Sequence, residues 1–180
     1  MTDLTRRSLL AFGAGAAALT VTNPAFALAA APRALSFHNL HTGESFKGAY
    51  WENGQYVPDS LIEIRKVLRD FRTGDEHVID TKLLDLLTMM HRRLDTGEPF
   101  QVISGYRSPK SNAMLQEKGS GVATHSYHMR GMAIDIRVAG RRTSSIQKLA
   151  LSLQRGGVGY YPASDFVHVD VGPVRTWKTA

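Results

Sequence analysis

Apolar residues recur along this chain with two periods, and the switches between them mark out its elements. Arg33-Ala34-Leu35-Ser36-Phe37-His38-Asn39-Leu40 alternates, as a strand with one buried face does, and a Gly43 turn leads to a second short strand near Ser45-Phe46-Lys47. Tyr50 to Pro58 breaks the alternation and reads as a loop or lid of aromatic and polar residues. Asp59 or Ser60 can cap a helix through Leu61, Ile64, Val67 and Leu68. A second helix follows Asp80-Thr81, with Leu83, Leu84, Leu86, Leu87, Met90 and Leu94 as a broad buried stripe, and Gly97-Glu98-Pro99 ends it. Phe100 to Ser104 is a strand that delivers Gly105-Tyr106-Arg107 to its end, and Pro109 to Glu117 is a short helix.

Beyond the Gly119-Ser120-Gly121 connection, Met132, Ile134, Ile136 and Val138 alternate with Ala133, Asp135 and Arg137. A strand there buries the first set and turns Asp135 to the opposite face. Val167, Val169 and Val171 stand in the same relation to Phe166, His168 and Asp170, so Asp135 and His168 can meet from neighbouring strands. Thr143 to Gln154 is a helix between them, and Gly156 to Tyr161 begins the return. Helices mixed with short antiparallel strands predict an α+β fold, a small antiparallel sheet flanked by helices.

The first thirty residues follow different rules. Thr5-Arg6-Arg7-Ser8-Leu9-Leu10 places an arginine pair before an uncharged run from Leu9 to Val21, and Ala25-Phe26-Ala27 offers a small-x-small cleavage site. This reads as a twin-arginine signal peptide over residues 1–31 with cleavage near Ala27, leaving 32–180 as one domain in the periplasm. The run is too weakly apolar, and too soon interrupted by Asn23-Pro24, for a stable membrane span of ~20 residues. The 22 basic and 16 acidic residues fall to 20 and 15 once Arg6, Arg7 and Asp3 are removed, a balance of +5. That charge suits an anionic polymer, but the arginines are scattered and export separates the chain from DNA, which argues against nucleic acid. With no cysteine, neither disulfides nor thiolate ligands are available.

The chemistry concentrates in Ser126-Tyr127-His128-Met129-Arg130-Gly131-Met132-Ala133-Ile134-Asp135 and in Asp165-Phe166-Val167-His168-Val169-Asp170. Two imidazoles and one carboxylate, His128, His168 and Asp135, are what a catalytic zinc takes from a protein, its fourth position being left to water. Taken singly, His128 reads as a loop histidine and His168 as a satisfied strand histidine. His125 either orients a ligand or contacts substrate, Ser126 and Tyr106 are further candidates for either role, and Asp170 can partner a ligand histidine. Tyr127, Tyr160 and Tyr161 either line a cleft or pack in the core, and His38, His41, His77 and His91 pack or face solvent.

Ser-x-His-x-x-Gly-x-Ala-x-Asp, followed by an acidic residue three positions before a second histidine, resembles the zinc D-alanyl-D-alanine peptidases. That family comprises metallo-carboxypeptidases, VanX-type dipeptidases and phage endolysins. The likeness covers about Val102 to Asp170, and the leader with its short domain resembles the murein endopeptidase K branch. It implies one Zn2+ held by His128, Asp135 and His168, Asp165 as general base and Arg107 facing the scissile carbonyl. Many relatives carry glutamate where this chain has Asp165, which alters reach. The implied activity is a zinc-dependent murein endopeptidase acting on peptidoglycan stem peptides, with D,D- or L,D-carboxypeptidase as the alternative. Because the fold also resembles the zinc-containing signalling domain of hedgehog proteins, a non-catalytic zinc-containing peptidoglycan-binding module is the competing class. The twin-arginine export machinery is the implied partner of the precursor. A branched polymer calls for an open groove, with the segment before the motifs as one wall.

Overall fold

A computed structural model describes residues 31–119 and 122–179, so the leader lies outside the described residues save for Ala31. The alternating segment forms strand β1, Arg33–Asn39, paired antiparallel with β2, Ser45–Glu52. β2 outruns the strand expected at Ser45–Lys47 and takes in Tyr50, a fully buried ring whose hydroxyl donates to Asp85 and bonds Thr88, both at 2.8 Å. The expected lid is therefore a strand end, a turn at Asn53-Gly54 and the two-residue β3, Gln55–Tyr56. Asn53 and Gly54 both have positive φ, 51° and 83°, as two-residue hairpin turns of the mirror-image kind require.

Helix α1, Pro58–Val67, begins on a proline whose fixed φ suits the first turn, and buries Ile64 and Val67. Helix α2, Thr81–Leu94, is capped by Asp80, which accepts from the Lys82 N–H at 2.8 Å. Its stripe of Leu83, Leu84, Leu86, Leu87 and Met90 is buried, each side chain contributing about 1.5–3 kcal/mol of transfer free energy. Truncating one, as in Leu84→Ala, costs about 2–5 kcal/mol with the cavity it leaves.

Strand β4, Phe100–Ser104, lies beside β1, and helix α3, Pro109–Glu117, follows with the Ser108 hydroxyl accepting from the Ser111 N–H. After a 3-10 turn at Tyr127–Arg130 come strand β5, Ala133–Val138, helix α4, Thr143–Leu153, and strands β6, Gly157–Tyr161, β7, Phe166–Asp170, and β8, Arg175–Lys178. The fold is α+β, with a sheet larger than its antiparallel alternation announced. Eight strands lie in the order β3-β2-β1-β4-β5-β7-β6-β8, and the β1–β4 and β6–β8 pairings are parallel. The long crossover through α1 and α2 makes the first of these possible.

The core joins α1, α2 and α4 to one face of this sheet, with Phe37, Phe100, Ile134, Ile136, Ile146 and Val167 completely buried within it. Because Ile134 and Ile136 point into that core, period-two alternation sends Asp135 to the other face, and Val167 and Val169 do the same for His168. No helix among the described residues is long and apolar enough to cross a membrane.

Candidate metal centre

Three segments far apart in sequence deliver the site. Asp135 and His168 are direct partners in the antiparallel β5–β7 register, which puts their side chains adjacent on one face. His128 arrives from the 3-10 turn, where the Ser126 hydroxyl accepts from its N–H at 3.3 Å. Gly131 closes that turn at φ +63°, and a Cβ there would collide with the Val78 carbonyl, so only glycine fits. The Gly131 carbonyl accepts from Asp80 N–H at 2.9 Å, tying the turn to the start of α2.

All three side chains are buried and their donor atoms converge. His168 Nδ1 lies 2.8 Å from Asp135 Oδ1 and 3.1 Å from His128 Nε2, which lies 3.3 Å from the same carboxylate oxygen. The remaining ring nitrogens fix the tautomers. His128 Nδ1 is 2.7 Å from the Gly105 carbonyl, which can only accept, so Nδ1 carries the proton and Nε2 a lone pair. His168 Nε2 is 3.0 Å from Asp170 Oδ2 and donates to it, leaving the Nδ1 lone pair facing the cluster. Three lone pairs aimed at one point repel one another until a cation or a proton joins them. A tetrahedral zinc with bonds of about 2.0–2.1 Å needs donor separations of about 3.3 Å, close to those present. The residues fit a metal ion.

The ionisation of the group follows from its burial and contacts. Burial pushes His128 below the ordinary imidazole value, with Asp135 opposing. Burial also works to lower His168, but hydrogen bonds to Asp135 and Asp170 outweigh it and raise its pKa. Burial would raise Asp135, yet the facing imidazoles hold it well below the usual carboxylate range.

Arg107 comes off the end of β4, its N–H bonded to the His128 carbonyl at 3.2 Å. Its side chain is 8% exposed, 3.8 Å from Asp135 Oδ2 and in only long contacts with Asn112 and Ser104, at 3.4 and 3.5 Å. The buried Nε has no hydrogen-bond partner among the described residues, so this guanidinium keeps a donor in reserve. Arg107, the three metal-site residues, His125 and Ser126 line one cavity of about 480 Å3, with Tyr127, Tyr161, Phe166 and Trp177 as its aromatic side.

Other expected residues lie elsewhere. Tyr106 does not line this cavity: its ring stacks on His77, the centroids 4.9 Å apart. Tyr160 is also absent from the lining, as is the segment before the motifs, expected to form one wall. Asp165 sits in the β6–β7 turn at φ +50° with its carboxylate 62% exposed, bonded to Thr143 at 2.9 Å and 3.6 Å from Arg137. Its neighbours Ser164 and Phe166 line the cavity, but its own carboxylate is turned to the rim. Arg175 and Trp177, absent from the reading of the sequence, enter the lining from β8. Their spacing of two on one face of a short strand was the available signal.

A cation site opening onto a cavity beside an unsatisfied guanidinium suits hydrolysis of a polarised carbonyl, and kinship places the chain among the peptidases. Residues 27–177 match the family Peptidase_M15_2, described as "Peptidoglycan L,D-endopeptidase MepK". The chain is 44% identical over 178 residues to the peptidoglycan L,D-endopeptidase MepK of Escherichia coli K12, covering 97% of this chain and 98% of that protein. It is 39% identical over 180 residues to the "Probable peptidoglycan L,D-endopeptidase MepK" of Haemophilus influenzae, covering 98% and 97%. The chain belongs to this family.

Proposed function

We propose that the protein is a zinc-dependent peptidoglycan endopeptidase that hydrolyses L,D cross-links between stem peptides. The observation that carries this reading is the convergence of His128 Nε2, Asp135 Oδ1 and His168 Nδ1 beside Arg107. Relatives matched along nearly their whole length bear the name L,D-endopeptidase, which supports the choice of bond. Zinc, when bound, supplies Lewis-acid polarisation of a carbonyl and lowers the pKa of water towards ~7.

The protein's own groups do the rest. Asp135, His128 and His168 hold the ion, and Asp170 and the Gly105 carbonyl hold the two rings in the required tautomers. Arg107, whose side chain lines the cavity beside Asp135, donates to the carbonyl oxygen as it gains negative charge. Asp165 leaves Thr143 and Arg137, takes the proton of the attacking water as the new C–O bond forms, and gives it to the departing amine as the C–N bond breaks. Its place between two cavity-lining residues supports that movement. Tyr127, Tyr161 and Trp177 form an apolar flank for the stem peptide. We assign residues 1–31 to a twin-arginine leader, 32–180 to one domain and the finished enzyme to the periplasm, since its substrate lies there.

Digestion of purified sacculi, with the products separated and weighed, tests the reading. Cross-linked dimers joined through L,D bonds should become monomers in zinc and remain intact in chelator. Release of terminal D-alanine alone would make it a carboxypeptidase, and binding to sacculi with no cleavage would make it a recognition module.

A further inference from the structure

Strand β8 contributes no metal ligand, yet its first residue grips the carboxylate behind one. Asp170 is completely buried and is held from four sides. It accepts from Gly157 N–H at 3.0 Å, from Gly172 N–H at 2.8 Å, from His168 Nε2 at 3.0 Å and from both ends of the Arg175 guanidinium, at 3.1 and 2.5 Å. Arg175 is the cation paired with Asp170 among the described residues. Its guanidinium is in turn fixed between two rings, 5.1 Å from the centres of both Tyr127 and Trp177, and donates to the Pro173 carbonyl at 3.1 Å. The parallel β6–β8 pairing sets Arg175 directly beside Gly157, where a Cβ would strike both Arg175 and Asp170.

We propose that Arg175 is a positioning residue for the metal, acting through Asp170 on His168. A buried carboxylate without a counter-charge is costly and relaxes towards water or another donor. Arg175 removes that cost and, with two parallel N–H···O contacts, leaves the Asp170 carboxylate one orientation. Asp170 then fixes the proton of His168 on Nε2 and the lone pair of Nδ1 on the cluster. The path from β8 to the ion is Arg175, Asp170, His168, each link a charge-assisted or buried hydrogen bond. Arg175 also touches the cavity, so direct contact with substrate is the competing role.

The inference rests on the reading of the cluster as a metal centre, and the two fail in different ways. The full chain, stripped of metal, is titrated with zinc against a chromophoric chelator. Arg175→Ala should weaken zinc binding about 10- to 100-fold, the range for removal of an outer partner of a ligand. Arg175→Lys, which keeps the charge but not the paired geometry, should recover part of the loss. Arg175→Ala combined with Asp170→Asn should bind no more weakly than Asp170→Asn alone, because both act along one path. Wild-type zinc affinity in Arg175→Ala with reduced cleavage would make Arg175 a substrate contact and overturn the inference, as would losses that multiply in the double variant. Should Arg175→Ala not fold, Arg175→Gln is carried through the same titration with the same two outcomes. A wild-type chain that takes up no zinc overturns the metal-centre reading and this inference together.

Discussion

Asp135 and His168 stand directly opposite each other on adjacent antiparallel strands, their side chains 2.8 Å apart. Two of the three donors are thus placed by backbone register, and a slip of either strand by one residue would send its donor to the core face. Only His128 comes from a turn, and that turn is pinned by the Arg107 and Asp80 N–H groups to β4 and α2. The donors are thus in place before any ion arrives.

Removing zinc should therefore destabilise the protein without unfolding it. At a free zinc concentration a thousand times its dissociation constant, binding adds about 4 kcal/mol. For a chain of this size that corresponds to roughly 8–16 °C in melting temperature, at about 2–4 °C per kcal/mol. Calorimetry with zinc and with chelator should show the difference. Asp135→Ala should abolish it, the two melting curves coinciding.

Zinc uptake should release protons, in a direction set by His168. Its pKa is raised by Asp135 and Asp170 against the effect of burial, so the metal-free protein keeps a proton on the cluster above pH 6.5, the ordinary imidazole value. The ion must displace that proton, so affinity rises with pH until it passes the raised value and levels off above it. Calorimetric titration at pH 6.5, where a group whose pKa is raised above that value is mostly protonated, should give apparent heats that vary among buffers of different ionisation enthalpy. Identical heats in all buffers would refute the shared proton.

Tyr50→Phe should lower stability while leaving cleavage of sacculi unchanged. The hydroxyl donates to Asp85 and bonds Thr88 in the core, and its loss leaves those groups short of a partner, a cost of about 1–3 kcal/mol. None of the three lines the cavity. The denaturant midpoint should fall with no change in slope. A matching loss of activity would tie β2 to catalysis.

The same tyrosine shows where the sequence was hard to read. Tyr50 sits among aromatic and polar residues that alternate poorly, and its burial depends on Asp85 and Thr88, more than thirty positions away. Asn53-Gly54 was a hairpin signal in plain view, since both residues tolerate positive φ. Helix α2 and strands β5 and β7 were legible because a long apolar stripe or strict alternation dictates them locally. Asp135 and His168 came with them, their face following from Ile134, Ile136, Val167 and Val169. β8 was not legible: Arg175 and Trp177 gain meaning only from Asp170 and Tyr127, which tertiary packing brings beside them. Arg107 carried a sequence signal through its motif, but its unsatisfied Nε is a property of burial.

Asp165→Asn is the sharpest test of the proposed proton transfer. The amide is nearly the same size, can still accept from Thr143, and gives up only an exposed pairing with Arg137, worth about 0–1 kcal/mol, so melting temperature and zinc content should stay close to wild type. Cleavage should nonetheless fall about 10²- to 10⁴-fold, the usual contribution of a positioned general base. Because the carboxylate must leave Thr143 and Arg137 to reach the cavity, Arg137→Ala should leave kcat equal or higher, by freeing Asp165 from the rim. Full activity in Asp165→Asn would place the base elsewhere, and a collapse of activity in Arg137→Ala with intact zinc would show that the rim contact is itself the working arrangement.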